Sequence, residues 1–594
     1  MSHPSWHTGR RQQRGAVAIV AAFALLAALA AVVLAIEIGR MYSAHRELRK
    51  LASLSALDAA RVVGGCDSTS AAAPEDVIEG VNATLLQQGL SLEEIAALAP
   101  GVLLGQQTSD AGLRVLDADA DADAADSVAV TLTRQFPTPL IPIFTPPDAP
   151  MRATAYARQG VVGRVAVGSS LLGLNSEDSV LLNALLGGLL GTTLDLSVAD
   201  YNSLLGADVT LLQLVEANVG VAGVDDLLSL ETSLPGALNL VSQALYATGE
   251  GVELVAAGLL STLAGIADPN VDEIRLGDYL RVEEGVEDLV GALPINVLDL
   301  LLGLAQLANE GYAVDFQIPG LVNLNIPGVL GLTVQAHLKI GEAPQEALGR
   351  PGYRADGSAR TVARSSQLMV VLEVGVALLP IGSFSLLSLD LDLAVDAAPA
   401  TAELAEIHCP TSAEPQPWAR INAETTVARI GIGDFDIGDA DPIGNADELV
   451  VLELLGLDLL VVDPPIILSL GSNEDGELIY DGPFVPKIAA PAPEHTQTIG
   501  VDPSTILSDA VGDLLSQLVP NLLGNINLLG LGPVLELTLT PVINLVLDIL
   551  EPLLNLVGAA VLEPLLELLG VSLGSAEVTM KAVTVEQPFI FRVE

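Results

Sequence analysis

From Ala16 to Ile36 the chain runs for 21 residues, AVAIVAAFALLAALAAVVLAI, with no charged or polar side chain. Arg10, Arg11 and Arg14 precede this stretch and Glu37 and Arg40 follow it. As a helix rising ~1.5 Å per residue it spans ~31 Å, the thickness of a bilayer's hydrocarbon core. A secretory h-region is shorter, ~7–15 residues, and leads to a small-residue cleavage site, whereas this run ends on charge. Length therefore favours a retained transmembrane helix; a long signal removed near Ile36 is the competing expectation. Basic residues stand on both sides, so their count does not set the orientation. An inside amino terminus is expected, because only the short basic tail 1–15 then stays in the cytoplasm.

The helical pattern continues past the apolar run. Ile38, Tyr42, His45, Leu48, Ala52, Ser55, Ala59 and Val62 follow steps of three and four up to the glycine pair Gly64-Gly65, a stop signal. One helix of roughly 45–50 residues is expected, half in lipid and half outside it.

Arg11 to Ala60, RQQRGAVAIVAAFALLAALAAVVLAIEIGRMYSAHRELRKLASLSALDAA, resembles the amino-terminal segment of the TadE/TadG-like proteins of tight-adherence (Flp) pilus assembly. The matching pieces are the basic-Gln tract running into Arg14-Gly15-Ala16-Val17-Ala18, the exit at Glu37, Gly39, Arg40 and Tyr42, and Arg46-Glu47-Leu48 before an Ala/Asp-rich helix end. The body is similar to TadG-related proteins only in its Leu/Gly/Asp-rich character. The resemblance implies a single-pass protein of the bacterial inner membrane with a large periplasmic body, partnered by pilin-like or pilus-assembly membrane proteins. Two departures bear on mechanism. Pilin-type processing expects a glutamate five residues after the glycine, and Gly15 is followed there by Val20. The DxSxS loop of a von Willebrand A metal site is missing, so adhesion through such a metal is not implied.

Charge separates the helix from the rest. Residues 1–65 hold eight Arg/Lys and three acids; with a net charge of −49 overall, the remainder carries −54. Such a body repels phosphate backbones and anionic headgroups, which argues against nucleic-acid binding and leaves the basic amino-terminal region to meet a membrane surface. The two cysteines, Cys66 and Cys409, exclude a disulfide-framework fold and carry no CxxC spacing. They either form one bridge, worth ~4–5 kcal/mol if unstrained, or remain two independent thiols.

Acidic tracts are the only metal-like features. Asp117–Asp126 and GDFDIGDADPIGNADE, with Asp434, Asp436, Asp439, Asp441, Asp447 and Glu448, both miss EF-hand spacing and read as solvated loops or turns, with calcium as the alternative. No metal ligands and no cofactor are assigned. Gly570-Val571-Ser572-Leu573-Gly574 matches GxSxG, but its serine follows a helical repeat and precedes a strand, the reverse of a nucleophile elbow. With no catalytic constellation, the chain reads as a non-enzymatic protein.

The expected fold class is α+β: one amino-terminal transmembrane helix continuing into an exported body of mixed helices and antiparallel sheet. The expected divisions are a basic tail 1–15, a span 16–36, a helix extension 37–65, a Leu/Gly-rich helical and strand region 66–360, and a strand-rich region 361–594 ending in amphipathic helices. Asp67–Pro74 reads as a linker and 137–150 as a proline-marked connection. Ser127–Thr133 alternates as a half-buried strand. Ser169–Ala267 reads as short glycine-broken helices capped by Ser, Asp and Asn. In LSLDLDLAVD, Leu387 to Asp396, the leucines face a core and Ser388, Asp390, Asp392 and Asp396 face water. LEPLLNLVG from Leu550 recurs twelve residues later as LEPLLELLG, and its glycines read as helix stops. The function expected is a structural or assembly component of a tight-adherence pilus or related envelope apparatus; a secreted adhesin or ligand-binding protein with a cleaved signal is the alternative.

Overall fold

The computed structural model describes residues 14–594 except 68–72, 111–112, 119–124, 136–149, 169–175, 219, 249–250, 269–272, 284–285, 319–328, 379–386, 398, 411–414, 426–427, 439–441, 455–456, 471–474, 485–494, 501–509, 511, 515, 519, 521–548, 551, 556, 570 and 572–574. The fold is α+β, with one long apolar amino-terminal helix and a body rich in antiparallel sheet. The chain divides into two compact units: residues 1–64, 72–159 and 587–594 form the first, and residues 65–71 and 160–586 the second. The division expected at 360/361 falls inside the second unit, where strands on either side of it are paired.

In the first unit, α1 (Arg14–Val63), α2 (Pro74–Gln87) and α3 (Leu92–Leu98) accompany an antiparallel sheet. Its strands are β1 (Gly101–Asp110), β2 (Leu113–Asp117), β3 (Ser127–Gln135), β4 (Pro150–Arg158) and the terminal strand Phe589–Val593, in the order β2-β1-β3-β4-terminal. Val128, Val130 and Leu132 of β3 and Ala153, Ala155 and Ala157 of β4 turn one face to α1 and α2. Small residues on β4 let the helix lie close to the sheet. α1 stops where expected: Gly65 has φ +94°, and a Cβ on Gly64 would lie 2.5 Å from the Gln159 carbonyl oxygen. Asp126, placed by its sequence in a solvated tract, is instead buried; it pairs with Arg158 at 2.8 Å and accepts from the Gln107 amide. Burial of a carboxylate is tolerated because both partners sit on neighbouring strands.

The second unit contains β5 (Val161–Val167), α4 (Ser176–Leu189), further short helices and α5 (Val297–Ala308). Of the caps expected in Ser169–Ala267, Ser197 forms a capping box with Asp200, whereas the helices after Gly223 and Gly251 have no side-chain cap; beyond that range Asn296 accepts from the amides of Leu298 and Asp299. β6 (Ala313–Gln317), β7 (Val329–Glu342), β8 (Gln367–Leu378), β9 (Leu387–Ala397), β10 (Ala428–Ile432) and β11 (Ile466–Leu470) make a six-stranded antiparallel sheet in that order. Its inner face and the helical leucines share one core. β5 pairs with the strand Ser575–Val585 in a second sheet.

The duplicated segment near the carboxyl end departs from expectation. Gly558 does not stop a helix; it opens a π turn, Gly558–Leu562, that runs into the helix Glu563–Leu568. Three α-helical turns take ~10.8 residues, so a twelve-residue repeat overshoots by about one. A π turn absorbs one residue, which returns Leu565 and Leu566 to the face of Leu553 and Leu554. All four are buried.

Candidate functional site

α1 changes character along its length. The side chains of Ile19, Phe23, Leu26, Leu29, Val32 and Ile36 are exposed, the most apolar 18-residue window has mean hydropathy 3.0, and none of that window is buried. From Leu48 onward Leu51, Ala52, Ala56, Ala59, Ala60 and Val63 are buried against the sheet of the first unit. The expected outer stripe therefore begins at Leu48, because Ile38 and Tyr42 remain exposed. Between the two halves, Glu37 lies one turn before Arg40, whose guanidinium is 3.7 Å from its carboxylate. Alanine and leucine supply the helix propensity for both halves. Their difference is only in what covers them.

Directly after α1 the chain enters the second unit and is clasped there. Cys66 and Cys409 form a disulfide, with Cα atoms 5.4 Å apart. The Asp67 amide donates to the Ile407 carbonyl at 3.1 Å, and the Asp67 carboxylate pairs with His408, whose ring stacks on Trp418. Asp67, expected in a linker, is thus fixed; residues 68–72 of that linker lie outside the described residues.

The acidic tract 433–448 is not a free turn. Asp434 and Asp447 exchange backbone hydrogen bonds of 3.1 and 3.0 Å, and the Asp436 carboxylate accepts from the Gly438 amide. Phe435 and Ile443 then pack on Met369, Val371 and Ala394, on the outer face of the six-stranded sheet. Lys339 donates to the Ile437 carbonyl at 3.0 Å. The face of β9 expected to meet water is therefore partly covered. Asp390 stays exposed, while Asp392 is half-buried and its carboxyl is pushed up to about 7 by burial, with Glu373, Asp434 and Asp390 adding to the effect and His337 opposing it. His337 bridges two carboxylates, Asp315 at 2.7 Å and Glu373 at 3.2 Å. The covering segment was invisible as such in the sequence, but the apolar Phe435 and Ile443 within an acidic tract were a usable signal. The side chains of Leu387 and Ser388, and residues Asp439 and Asp441, lie outside the described residues.

A second polar set is buried beside β5. Arg164 pairs with Glu346 and donates to the Pro294 carbonyl, Lys581 pairs with Asp299 at 2.9 Å, and the Tyr279 hydroxyl donates to the Asp299 carbonyl at 3.1 Å. Burial holds the Tyr279 hydroxyl well above its ordinary value. Tyr279, Asp299, Glu346 and Lys581 border a cavity of about 70 Å³, room for a few waters. Each charge has an opposite partner, the arrangement of a structural network. Among the described residues no group of three or more His, Cys, Asp and Glu side chains is placed to hold a metal ion. Ser572 of the GxSxG match lies outside the described residues.

Fold and helix together define a class: an α+β protein with one amino-terminal helix long and apolar enough to cross a membrane. Residues 178–306, the leucine-rich helices from α4 to α5, match a protein-family model described as a domain of unknown function (DUF8293). No curated protein and no solved structure matches the chain.

Proposed function

We propose that this protein is a membrane-anchored structural or assembly component of a tight-adherence pilus or a related envelope apparatus, working without catalysis. The observation that carries the reading is the division of α1. Its amino half presents an uninterrupted apolar surface, and its carboxyl half is the central helix of a small antiparallel-sheet unit. A helix built this way couples a bilayer, or a bundle of similar helices, to a folded head without a flexible joint. The resemblance of Arg11–Ala60 to TadE/TadG-like segments points to pilus assembly as the setting. The disulfide supports export, since such bonds persist in oxidising compartments. The amino terminus stays in the cytoplasm and the acidic body lies outside the inner membrane.

Because Leu48–Val63 belong to a core, the test must spare them. Residues 1–36 are replaced by a generic cleavable signal, and membrane retention after carbonate washing, pilus assembly and crosslinking to envelope proteins are scored. The reading expects a soluble, folded body that no longer supports assembly. Normal assembly by the soluble body, or native protein that starts beyond Glu37 when sequenced from its amino terminus, would overturn it.

A further inference from the structure

β6 is the edge strand of the six-stranded sheet; among the described residues a strand pairs with it on one side only. Ile318 donates its amide to Val334, its direct partner in register, at 3.1 Å. Main-chain direction alternates along an antiparallel strand, so Val314 and Phe316 also turn their N–H and C=O groups to β7. Ala313, Asp315 and Gln317 turn theirs outward, and these three residues are exposed. Beside that edge lies a groove of about 860 Å³. One wall is Asp315, Phe316 and Gln317; the floor is the face of α4 carrying Val180, Ala184, Gly187 and Gly188, and Asp195 stands on the return segment.

The groove is built rather than incidental. Asn183 holds the return segment along α4 by donating to the Leu196 carbonyl at 2.8 Å and accepting its amide at 2.9 Å. A Cβ on Gly187 would lie 2.7 Å from the Thr192 carbonyl oxygen, and one on Gly188 would crowd Val314 and Phe316 at 3.1 Å, so the pair of glycines permits the close approach of helix, return segment and strand. Among the lining residues the charged ones are Asp195 and Asp315, both acidic; the Asp315 carboxylate also pairs with His337.

We propose that this groove takes an extended, basic peptide segment of another protein, which adds as a further strand to β6. Edge addition supplies main-chain hydrogen bonds from the three outward residues, about six in all, while alternate side chains are sorted to opposite faces. One set of side chains meets the small apolar floor of α4, beside Asp195, and the other meets the outer face, where Asp315 stands opposite His337. Charge selects against a second copy of this chain, whose net charge is −49. The inference does not rest on the role given to α1.

The test uses the full-length protein in detergent micelles and fluorescein-labelled hexapeptides, acetyl-VKVKVK-amide and acetyl-VEVEVE-amide, with binding read by anisotropy. Saturable binding of the lysine peptide, at least tenfold tighter than the glutamate peptide, is expected. Gln317→Pro removes one outward amide at an edge position that tolerates proline and is expected to weaken binding at least tenfold; Asp195→Asn is expected to weaken it severalfold. Hydrogen exchange on the unaltered protein must slow at Ala313, Asp315 and Gln317 when the lysine peptide is added. Absence of saturable binding, undiminished binding to a folded Gln317→Pro variant, or protection confined to other strands would each overturn the proposal. So would β6 protection that rises with protein concentration alone, which would identify a second copy as the occupant.

Discussion

Asp392 shows how one residue's meaning depends on what folds over it. In sequence it is one acid among alternating leucines, a solvent-facing position of an amphipathic strand. In the fold it faces Glu373 on β8, Asp390 on β9, His337 on β7 and Asp434 on the covering segment, and its carboxyl rises from an ordinary value of 3.8 to about 7. Folding therefore favours the protonated form. Stability linked to this group is fully present below about pH 3.8 and is lost as the pH rises through about 7. Asp392→Asn is expected to flatten that part of the pH profile and to stabilise the protein at pH 8 by on the order of 1–2 kcal/mol, allowing for partial exposure. Thermal melting of both proteins between pH 4 and 8 checks this. Gly64 makes the opposite kind of point, because its role as a stop was readable. Gly64→Ala is expected to cost on the order of 1–3 kcal/mol, since the new methyl meets a backbone oxygen that cannot swing aside; hydrogen exchange in β3 and β4 reports the loss.

At the scale of elements, α1 separates into an exposed apolar part long enough to cross a bilayer and a part covered by a sheet. Leu48→Ala is expected to destabilise the first unit by ~2–5 kcal/mol while leaving carbonate-resistant membrane retention unchanged. Leu26→Arg is expected to do the reverse, lowering retention while exchange protection in β3 and β4 stays as it was. The carboxyl-terminal repeat teaches a related lesson. Periodicity correctly marked two leucine faces, but glycine propensity misled at Gly558, where continuous burial of Val557, Val561 and Leu562 keeps the chain helical. Deleting Ala559 is expected to convert the π turn to regular helix with a change within about 1 kcal/mol, because eleven residues fill three turns. A circular-dichroism melt distinguishes that from unfolding.

For the whole molecule, the decisive covalent link is Cys66–Cys409, which joins residues 343 apart within the second unit. Cys409→Ser is expected to lower stability by up to about 6 kcal/mol, the loop-entropy value for so long a closure, and a reducing agent should reproduce the effect in the unaltered protein but not in the variant. Local pattern was sufficient for α1, for its end at the glycine pair, for a strand over Ser127–Thr133, which the fold extends to Gln135, and for leucine-rich helices such as the one capped by Ser197, because each rests on neighbours three or four residues away or on alternation. It was insufficient wherever partners come from distant sequence. The unit boundaries are crossed by the carboxyl-terminal strand, Asp126 is paired from β4, and Phe435 and Ile443 return to cover a sheet face. The groove beside β6 likewise needs α4 and an edge strand more than a hundred residues apart. By itself the sequence determined one bilayer-length helix, an acidic body and an α+β composition, since length, charge and hydrophobic period are local sums. Only the tertiary structure decided which half of that helix is covered, which carboxylates are paired and which strand edge has a partner on one side only among the described residues, because burial is a property of what the rest of the chain brings alongside.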